Sequence, residues 1–232
     1  MVSSLGYSSG SLLVRLVTGP FVRRRVLGAG NIPLKGPCIL APNHISHFDP
    51  PLIGLSMRRP VDWMAMRELF ANPASAAIFR WVGAFPVGRE SFDMPAVRTA
   101  ITRLKQGRLV GVFPEGGLRT GPQSVLEGAP LKPGVAALSQ MTGAPVLPCV
   151  ILGSDALYDP RQWLPFRRTR VWVVFGALLA PPAPGGDKAA ARVEFENLLG
   201  RTLRNLYEST LRDEHVPAGC LPQTPQRRKG KD

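Results

Sequence analysis

The stretch Asn43-His44-Ile45-Ser46-His47-Phe48-Asp49-Pro50 is the most informative part of the sequence, and it follows the short apolar run Cys38-Ile39-Leu40-Ala41. An uncharged apolar run of this length predicts a buried strand. Asp49-Pro50 predicts a helix start, because aspartate is a favoured N-cap and proline is tolerated at the first helical position. His44 and Asp49 therefore share one strand-to-helix turn, the kind of place where α/β enzymes hold their chemistry. A histidine oriented by a carboxylate can take a proton from a hydroxyl near neutral pH.

The residues of this turn are also compatible with two roles that involve no proton transfer. In the first, Asp49 only caps the helix and His44 only hydrogen-bonds its own turn. In the second, His44, His47 and Asp49 form a metal-ligand cluster, as in a metallohydrolase. A catalytic zinc needs about three protein ligands with supporting partners, and the remaining histidine, His215, lies at the start of the C-terminal tail. We therefore expect no bound metal, and we interpret His47 as a structural or substrate-edge residue.

Strand-like and helix-like segments alternate along the 232 residues of the chain. Further strands are predicted at 61–66, 109–113, 146–152 and 171–175, and residues 21–27 predict a short edge strand or an exposed crossing. Helices are predicted at 50–57, 67–82 with a break near Pro73, 93–107, 133–141 and from about 187 onward. This alternation predicts an α/β fold, a single domain over residues 19–215 with a mostly parallel or mixed central sheet flanked by helices.

The two ends of the chain differ from this pattern. Residues 1–18 form an N-terminal amphipathic segment, in which Arg15 lies opposite a partly apolar face made of Leu5, Leu12, Leu13, Leu16 and Val17. Such a segment either lies on a bilayer or packs as a first helix against its own domain. Residues 216–232 are rich in proline, glutamine and basic residues, and this composition predicts a disordered basic tail.

The chain is strongly basic, with 29 Lys and Arg against 16 Asp and Glu and a net charge of +13. Such a surface favours anionic partners: nucleic acid, acidic lipid headgroups, phosphorylated substrates or an acidic carrier protein. The sequence has no helix-turn-helix, zinc-finger or RNA-recognition signature, and its basic residues are not interleaved with aromatic ones as base-stacking sites would be. We therefore expect no nucleic-acid partner.

Cysteine usage and hydropathy indicate the compartment. The three cysteines, Cys38, Cys149 and Cys220, are an odd number without framework spacing, which favours a reducing compartment over a disulfide scaffold. No segment reaches the roughly 18 uncharged apolar residues that a spanning helix needs. We also expect no secretory leader, because Arg15 interrupts the N-terminal apolar run. The predicted location is therefore cytoplasmic.

Three more stretches lie at predicted strand ends or in the turns beside them: 83–89 (Gly-Ala-Phe-Pro-Val-Gly-Arg), 113–119 (Phe-Pro-Glu-Gly-Gly-Leu-Arg) and 144–150 (Ala-Pro-Val-Leu-Pro-Cys-Val). Glycines let a backbone approach a ligand closely. The guanidinium groups of Arg89 and Arg119 match phosphate oxygens with two parallel hydrogen bonds. Taken singly, each stretch is also compatible with an ordinary solvated turn.

Taken together and in this order, the motifs resemble those of the 1-acylglycerol-3-phosphate acyltransferases and related glycerolipid acyltransferases. That family is marked by Asn-His-x-x-x-x-Asp, then Gly-x-x-Phe-x-x-Arg, then Phe-Pro-Glu-Gly, then a proline-containing strand. The matching stretches are 43–49, 83–89 with Phe85 one place early, 113–116 and 146–150, so the resemblance spans about residues 20 to 180. Arg119 departs from the pattern, because it lies one residue later than the arginine of the family's third motif.

The resemblance implies roles for individual residues. His44 is the general base, and Asp49 fixes its tautomer and stabilises the imidazolium. Arg89 holds the acceptor phosphate, with Arg119 as a second candidate, and Glu115 orients the acceptor. Further substrate-binding residues implied by the motifs are Gly116, Asn43 and Ser46. Neither a cofactor nor a metal is implied.

The resemblance also implies partners. The donor is acyl-CoA or an acyl-carrier protein, and the acceptor is lysophosphatidic acid in phospholipid biosynthesis. Another lysophospholipid, glycerol phosphate or a lyso-ornithine lipid is an alternative acceptor, and a non-catalytic basic protein that binds lipid or nucleic acid is an alternative outside catalysis. A lipid acceptor and a basic surface together predict a protein that is peripheral to the inner face of the membrane and binds its anionic lipids.

Overall fold

The fold is a seven-stranded sheet with helices on its faces, as given by a computed structural model that describes residues 12, 14–16, 18–88, 93–164, 168–183, 185 and 187–228. The strands are β1 (Val22–Leu27), β2 (Cys38–Pro42), β3 (Val61–Met66), β4 (Phe85–Val87), β5 (Leu109–Gly111), β6 (Val146–Leu152) and β7 (Thr169–Phe175). The α-helices with defined bounds are α1 (Asp49–Gly54), α2 (Pro73–Trp81), α3 (Met94–Lys105), α4 (Val135–Thr142), α5 (Lys188–Asp213) and the short α6 (Pro225–Arg228).

The sheet is mixed but mostly parallel. Its strand order is β1-β7-β6-β2-β5-β3-β4, and every neighbouring pair is parallel except β6 and β7. The predicted α/β class, with one mostly parallel or mixed sheet, is therefore confirmed. Because β2, β5 and β6 are mutually parallel, their carboxyl ends meet at one edge of the sheet. In open α/β sheets this edge is where ligands bind.

The central strand β2 is buried on both faces. Ile39 and Ala41 face one core layer, which also contains side chains of α3, α4 and α5. Cys38 and Leu40 face the opposite layer, which includes side chains of α1. Strands buried on both faces are apolar at every position rather than at alternate ones, which is why this strand was predictable from a continuous apolar run.

Capping residues set several helix boundaries as predicted. The Asp93 side chain accepts a hydrogen bond from the Ala96 N–H and begins α3, and the Asp187 side chain accepts one from the Ala189 N–H and begins α5. Helix α1 differs in one respect. It begins beside Asp49 as expected, but Phe48 occupies the N-cap position and the Asp49 carboxylate does not cap the helix. That carboxylate instead accepts hydrogen bonds from the preceding loop.

The first described residues, 12, 14–16 and 18, belong to the predicted N-terminal amphipathic segment. Leu12 and Leu16 are exposed, and Thr18 is buried with its hydroxyl donating to the Val14 carbonyl at 2.7 Å. The other residues of that segment lie outside the described part of the chain. Residues 22–27, predicted as an edge strand or an exposed crossing, form the edge strand β1. None of the helices in the described ranges combines the length and the apolar character that crossing a bilayer requires.

The C-terminal segment differs from the prediction of a disordered tail. Val216 and Cys220 pack, partly buried, against the core, and the chain continues to α6. The Arg228 side chain reaches the buried Asp155 carboxylate, with 2.7 Å between Arg228 Nε and Asp155 Oδ2. The composition of this segment predicted that it is solvated. Composition alone does not show that Asp155, a buried carboxylate elsewhere in the chain, pairs with Arg228. Residues 229–232 lie outside the described part of the chain.

Candidate active site

The structure brings His44 and Asp49 together at the carboxyl edge of β2. His44 Nδ1 lies 2.8 Å from Asp49 Oδ2, and the N–H groups of Ile45 and Ser46 donate to the same oxygen at 2.8 Å each. Asp49 is fully buried, whereas the His44 side chain is 15% exposed. A carboxylate facing Nδ1 favours the tautomer with the proton on that nitrogen. Nε2 of His44 is then an acceptor, and no described residue hydrogen-bonds to it.

Aromatic stacking fixes the plane of the imidazole. The ring of Phe113 stacks on that of His44 with centroids 3.8 Å apart, and the Trp63 ring also stacks on Phe113, with centroids 5.1 Å apart. Gly111 makes this possible, because a Cβ atom there would overlap the indole ring of Trp63, its neighbour across β3 and β5. Trp63 was not among the predicted site residues. The available signal was Gly111 itself, because a glycine inside a strand often marks a close approach of another group.

Ser154 hydrogen-bonds to the second carboxylate oxygen of Asp49. Its hydroxyl, fully buried, donates to Asp49 Oδ1 at 2.5 Å. Ser154 follows Gly153, whose φ of 82° is the left-handed conformation that favours glycine. Ser154 was not among the predicted site residues either. Its only signal was its position directly after the buried strand β6, at the same edge of the sheet as His44.

Glu115 ties the loop after β5 to the loop after β2. Its Oε2 accepts from the His44 N–H at 2.6 Å, and its Oε1 accepts from the Ser124 hydroxyl at 2.9 Å and the Val125 N–H at 2.8 Å. Burial raises the pKa of Glu115, and these donors oppose that rise. Both carboxylate oxygens are engaged within the protein. These bonds hold the His44 backbone, and the expected role of Glu115 in orienting the acceptor stays a prediction.

Asn43 and Ser46 also act inside the loop. The Asn43 side chain donates to the Ile151 carbonyl at 3.1 Å and accepts from the Ile151 N–H at 2.8 Å, so it continues the pairing of β2 with β6. The Ser46 hydroxyl accepts from the Phe48 N–H at 3.1 Å. Both side chains are fully buried. They position the His44 loop, and the contact with substrate expected for both residues stays a prediction.

Gly116 and Arg119 lie in the loop that follows β5. Gly116 has a φ of 67° and closes a turn in which its N–H donates to the Phe113 carbonyl at 3.1 Å. The Arg119 N–H donates to the His44 carbonyl at 2.8 Å, so the two loops are joined here a second time. Within the part of the chain that the structure describes, the partly buried Arg119 guanidinium has no hydrogen-bond or ion-pair partner. It is therefore available to bind an anion.

Arg89, the other predicted phosphate ligand, lies outside the described residues. Its neighbour Gly88 follows β4, and the Gly88 N–H donates to Asp93 Oδ2 at 2.5 Å. Because β4 is parallel to β3 and β3 to β5, this turn lies at the same edge of the sheet as His44. The predicted role of Arg89 stays a prediction.

His47 is exposed and makes contacts away from the His44–Asp49 pair. Its backbone N–H donates to the Tyr158 hydroxyl at 3.0 Å, and its Nδ1 lies 2.5 Å from the same hydroxyl. Burial raises the pKa of Tyr158. Among the described residues, no group of three or more histidine, cysteine or acidic side chains is arranged to hold a metal ion.

A cavity lies between these loops and the C-terminal segment. Its volume is about 280 Å³, and it is lined by Ile45, Leu118, Thr120, Gln123, Thr224 and Gln226. Ile45 follows His44 directly, and Leu118 and Thr120 flank Arg119.

Known proteins match the part of the chain that holds this site. The family model described as Acyltransferase matches residues 23–152. The 1-acyl-sn-glycerol-3-phosphate acyltransferase of Bacillus subtilis is 32% identical over 186 residues, which is 78% of this chain and 88% of that protein. The enzyme of the same name from Borreliella burgdorferi is 27% identical over 135 residues, covering 57% of this chain and 52% of that protein.

A solved structure agrees with the fold. The crystal structure of the 1-acyl-sn-glycerophosphate (LPA) acyltransferase PlsC from Thermotoga maritima superposes with a TM-score of 0.65 at 25% identity. The superposition covers 87% of this chain and 79% of that one.

Proposed function

We propose, on the premise that this chain belongs to the acyltransferase family, that it moves a fatty acyl group from a thioester to the free hydroxyl of lysophosphatidic acid. The observation that carries the proposal is the His44–Asp49 pair. Asp49 is fully buried and holds Nδ1 of His44 at 2.8 Å, while Nε2 is left as an acceptor for a hydroxyl proton. The relatives from Bacillus subtilis and Borreliella burgdorferi carry this activity in their names, which supports the choice of acceptor.

The reaction is a single displacement. Nε2 of His44 removes the proton of the acceptor hydroxyl, and that oxygen attacks the carbonyl carbon of the thioester. The new C–O bond forms as the C–S bond breaks, and the proton held by His44 passes to the leaving thiolate. Asp49 stabilises the imidazolium that exists between these two proton transfers. The products are the doubly acylated glycerol phosphate and a free thiol.

Binding of the acceptor relies on charge. A phosphate monoester is a bidentate partner for a guanidinium, and the Arg119 guanidinium has no internal partner among the described residues while its backbone is bonded to the His44 carbonyl. Arg89, which lies outside the described residues, is the second proposed phosphate ligand. We propose that the two arginines hold the phosphate while the acceptor hydroxyl points toward His44.

The donor is proposed to be acyl-CoA or an acyl-carrier protein. Both present the same thioester, and both are anionic, so the net charge of +13 attracts either of them. For the same reason we propose that the protein works at the cytoplasmic face of the membrane, bound peripherally to anionic lipid, where its lipid acceptor is found.

One assay tests the function directly. Purified protein is incubated with lysophosphatidic acid, another lysophospholipid, glycerol phosphate or a lyso-ornithine lipid, each with acyl-CoA and with an acylated carrier protein, and the products are identified by mass. We expect the largest kcat/KM with lysophosphatidic acid. Preference for another acceptor would replace the proposed substrate, and no acyl transfer with any combination would overturn the enzymatic proposal.

The His44→Ala variant is the matched negative control in that assay. It should lose at least about a hundredfold in rate, the usual size of a general-base contribution, while its melting temperature stays close to that of the wild type. His47→Ala should lose much less. Activity of His44→Ala within a few-fold of wild type would contradict the mechanism, and an equal loss in His47→Ala would point to a metal instead.

A further inference from the structure

The turn that follows β6 touches the His44 loop at two points. It is a 3₁₀ helix over Ser154–Tyr158. At its first residue, the Ser154 hydroxyl donates to Asp49 Oδ1 at 2.5 Å. At its last residue, the Tyr158 hydroxyl accepts from the His47 N–H at 3.0 Å. The position of this turn therefore sets the position of the carboxylate that orients His44.

The residue after Ser154 is a buried carboxylate that the reaction does not use. Asp155 has no exposed surface. Its Oδ2 accepts from Arg228 Nε at 2.7 Å and from the Gln223 N–H at 2.9 Å, whereas no described residue hydrogen-bonds to its Oδ1. Burial raises the pKa of Asp155, and the Arg228 guanidinium opposes that rise. An ionised carboxylate at this depth needs a paired cation, and Arg228 is that cation.

The Arg228 side chain is mostly buried and makes several hydrogen bonds, unlike an arginine of a solvated basic tail. Its side chain is 12% exposed. Besides the Nε contact with Asp155, its two terminal nitrogens donate to the carbonyls of Gly219 and Leu221 at 2.8 Å each. The adjacent Arg227 is exposed, and among the described residues its side chain has no hydrogen-bond or ion-pair partner. The two neighbouring arginines thus form a matched pair, one built into the fold and one solvated.

We propose that Arg228 is a positioning residue for the reaction: it holds Asp155, and through Ser154 it fixes the carboxylate of Asp49 behind His44. This rests on the proposed function, because it assigns a part of the same active site. The C-terminal segment is then a working part of the enzyme although it lies more than 100 residues beyond Arg119 and outside the family match over residues 23–152. A small misplacement of a catalytic group can lower the rate by up to about 100-fold.

The first experiment compares Arg228→Gln with Arg227→Gln in the full-length protein. Both variants lose one positive charge at the same place, so any general effect on anionic substrates or membranes is equal. We expect Arg228→Gln to lower kcat by about tenfold with little change in the KM of either substrate, because the bonds to substrate are intact and only the orientation of the base is disturbed. Arg227→Gln should have the kcat and KM of the wild type.

The second experiment asks whether Arg228 acts through Ser154. Ser154→Ala alone should also lower kcat by about tenfold, and the double variant should lose little more than Ser154→Ala does, because both changes interrupt one path. If Arg228 affected kcat by a route that does not include Ser154, the kcat loss of the double variant would be the product of the two single losses. Each variant is assayed well below its melting temperature, so that a lower folded fraction does not imitate a lower kcat.

Asp155→Asn keeps the proposal falsifiable if Arg228→Gln does not fold. It removes the ion pair without leaving an unpaired carboxylate in the core, and it should show the same tenfold loss in kcat. Wild-type kcat in Asp155→Asn, equal kcat in the two arginine variants, or multiplying losses in the double variant would each overturn the proposal. In each of these cases, acyl transfer by the wild type and by Arg227→Gln would still support the proposed function. A failure of the Arg228 proposal can therefore be distinguished from a failure of the proposed function.

Discussion

At the scale of single residues, the site fixes one imidazole from three directions. Asp49 holds its Nδ1 at 2.8 Å, Phe113 stacks on its face at 3.8 Å between centroids, and Glu115 holds its backbone N–H at 2.6 Å. Each of these partners is itself held, so the ring has little freedom to turn. For the proposed role of His44 as a base, this fixing means that less entropy is lost when the ring meets the acceptor hydroxyl, which is the advantage of a preorganised site.

The first residue-scale prediction concerns Arg119. Replacing it by alanine should raise the KM for lysophosphatidic acid about tenfold and leave kcat nearly unchanged, because a phosphate contact is made in both the ground state and the transition state. An acceptor without a phosphate should be affected much less. Arg201→Ala, which removes an exposed arginine of α5, is the control. Equal losses with both acceptors would show that Arg119 is structural.

At the scale of elements, the stack of Trp63, Phe113 and His44 links the ends of three strands. Trp63 lies in β3, Phe113 follows β5 and His44 follows β2. Gly111 of β5 leaves the space that the indole ring fills. The packing of β3 against β5 is therefore connected to the orientation of the His44 ring.

Gly111→Ala tests this connection. The added methyl group meets the Trp63 ring, so we expect a loss of about 1–3 kcal/mol in the free energy of unfolding, the usual cost of overpacking. The displaced stack should also lower kcat about tenfold, since a small misplacement of a catalytic group is costly.

Gly30→Ala is the control for that change. A Cβ atom at Gly30 would have no atom within 4 Å. The free energy of unfolding of Gly30→Ala should stay within about 0.5 kcal/mol of that of the wild type, and the activity of this variant should be unchanged. A Gly111→Ala variant with full activity would show that the stack does not orient His44.

The strands and helices could be predicted from the sequence, whereas most of the side-chain contacts between them could not. Continuous apolar runs and capping aspartates marked β2, β6 and α3, because those signals are local. The polar residues Asn43 and Ser46 were placed correctly beside His44, but their partners were not, because a residue type shows that a side chain can hydrogen-bond and not which group it bonds. Ser154 and Asp49 are 105 residues apart in the chain, and no periodicity connects them.

At the scale of the whole molecule, charge decides how the enzyme meets a lipid. The net charge is +13, and the exposed Leu12 and Leu16 lie near the start of the chain. Each basic residue close to an anionic membrane contributes about 1 kcal/mol of attraction, which decays within a Debye length. An apolar face contributes binding that salt does not weaken. For the proposed peripheral binding we therefore expect two separable modes, one sensitive to salt and one resistant to it.

Vesicle co-sedimentation tests both modes. We expect binding to vesicles with anionic lipid, weak binding to neutral vesicles, and partial release at high salt. Deleting residues 1–18 should remove the salt-resistant fraction and leave the salt-sensitive one. Protein that stays in the supernatant with anionic vesicles at low salt would contradict peripheral binding and favour a soluble acceptor.

The edge strand β1 has a consequence for synthesis on the ribosome. Within the described chain β1 pairs only with β7, so that Val22 finds its partner at Thr169. The nascent chain must therefore carry β1 unpaired until most of the domain has emerged, and an unpaired strand edge invites association with other chains. Three consecutive arginines, Arg23, Arg24 and Arg25, occupy the middle of that strand. We expect their mutual repulsion to oppose association of two unfinished copies through this strand, so these charges would protect the nascent protein from aggregation.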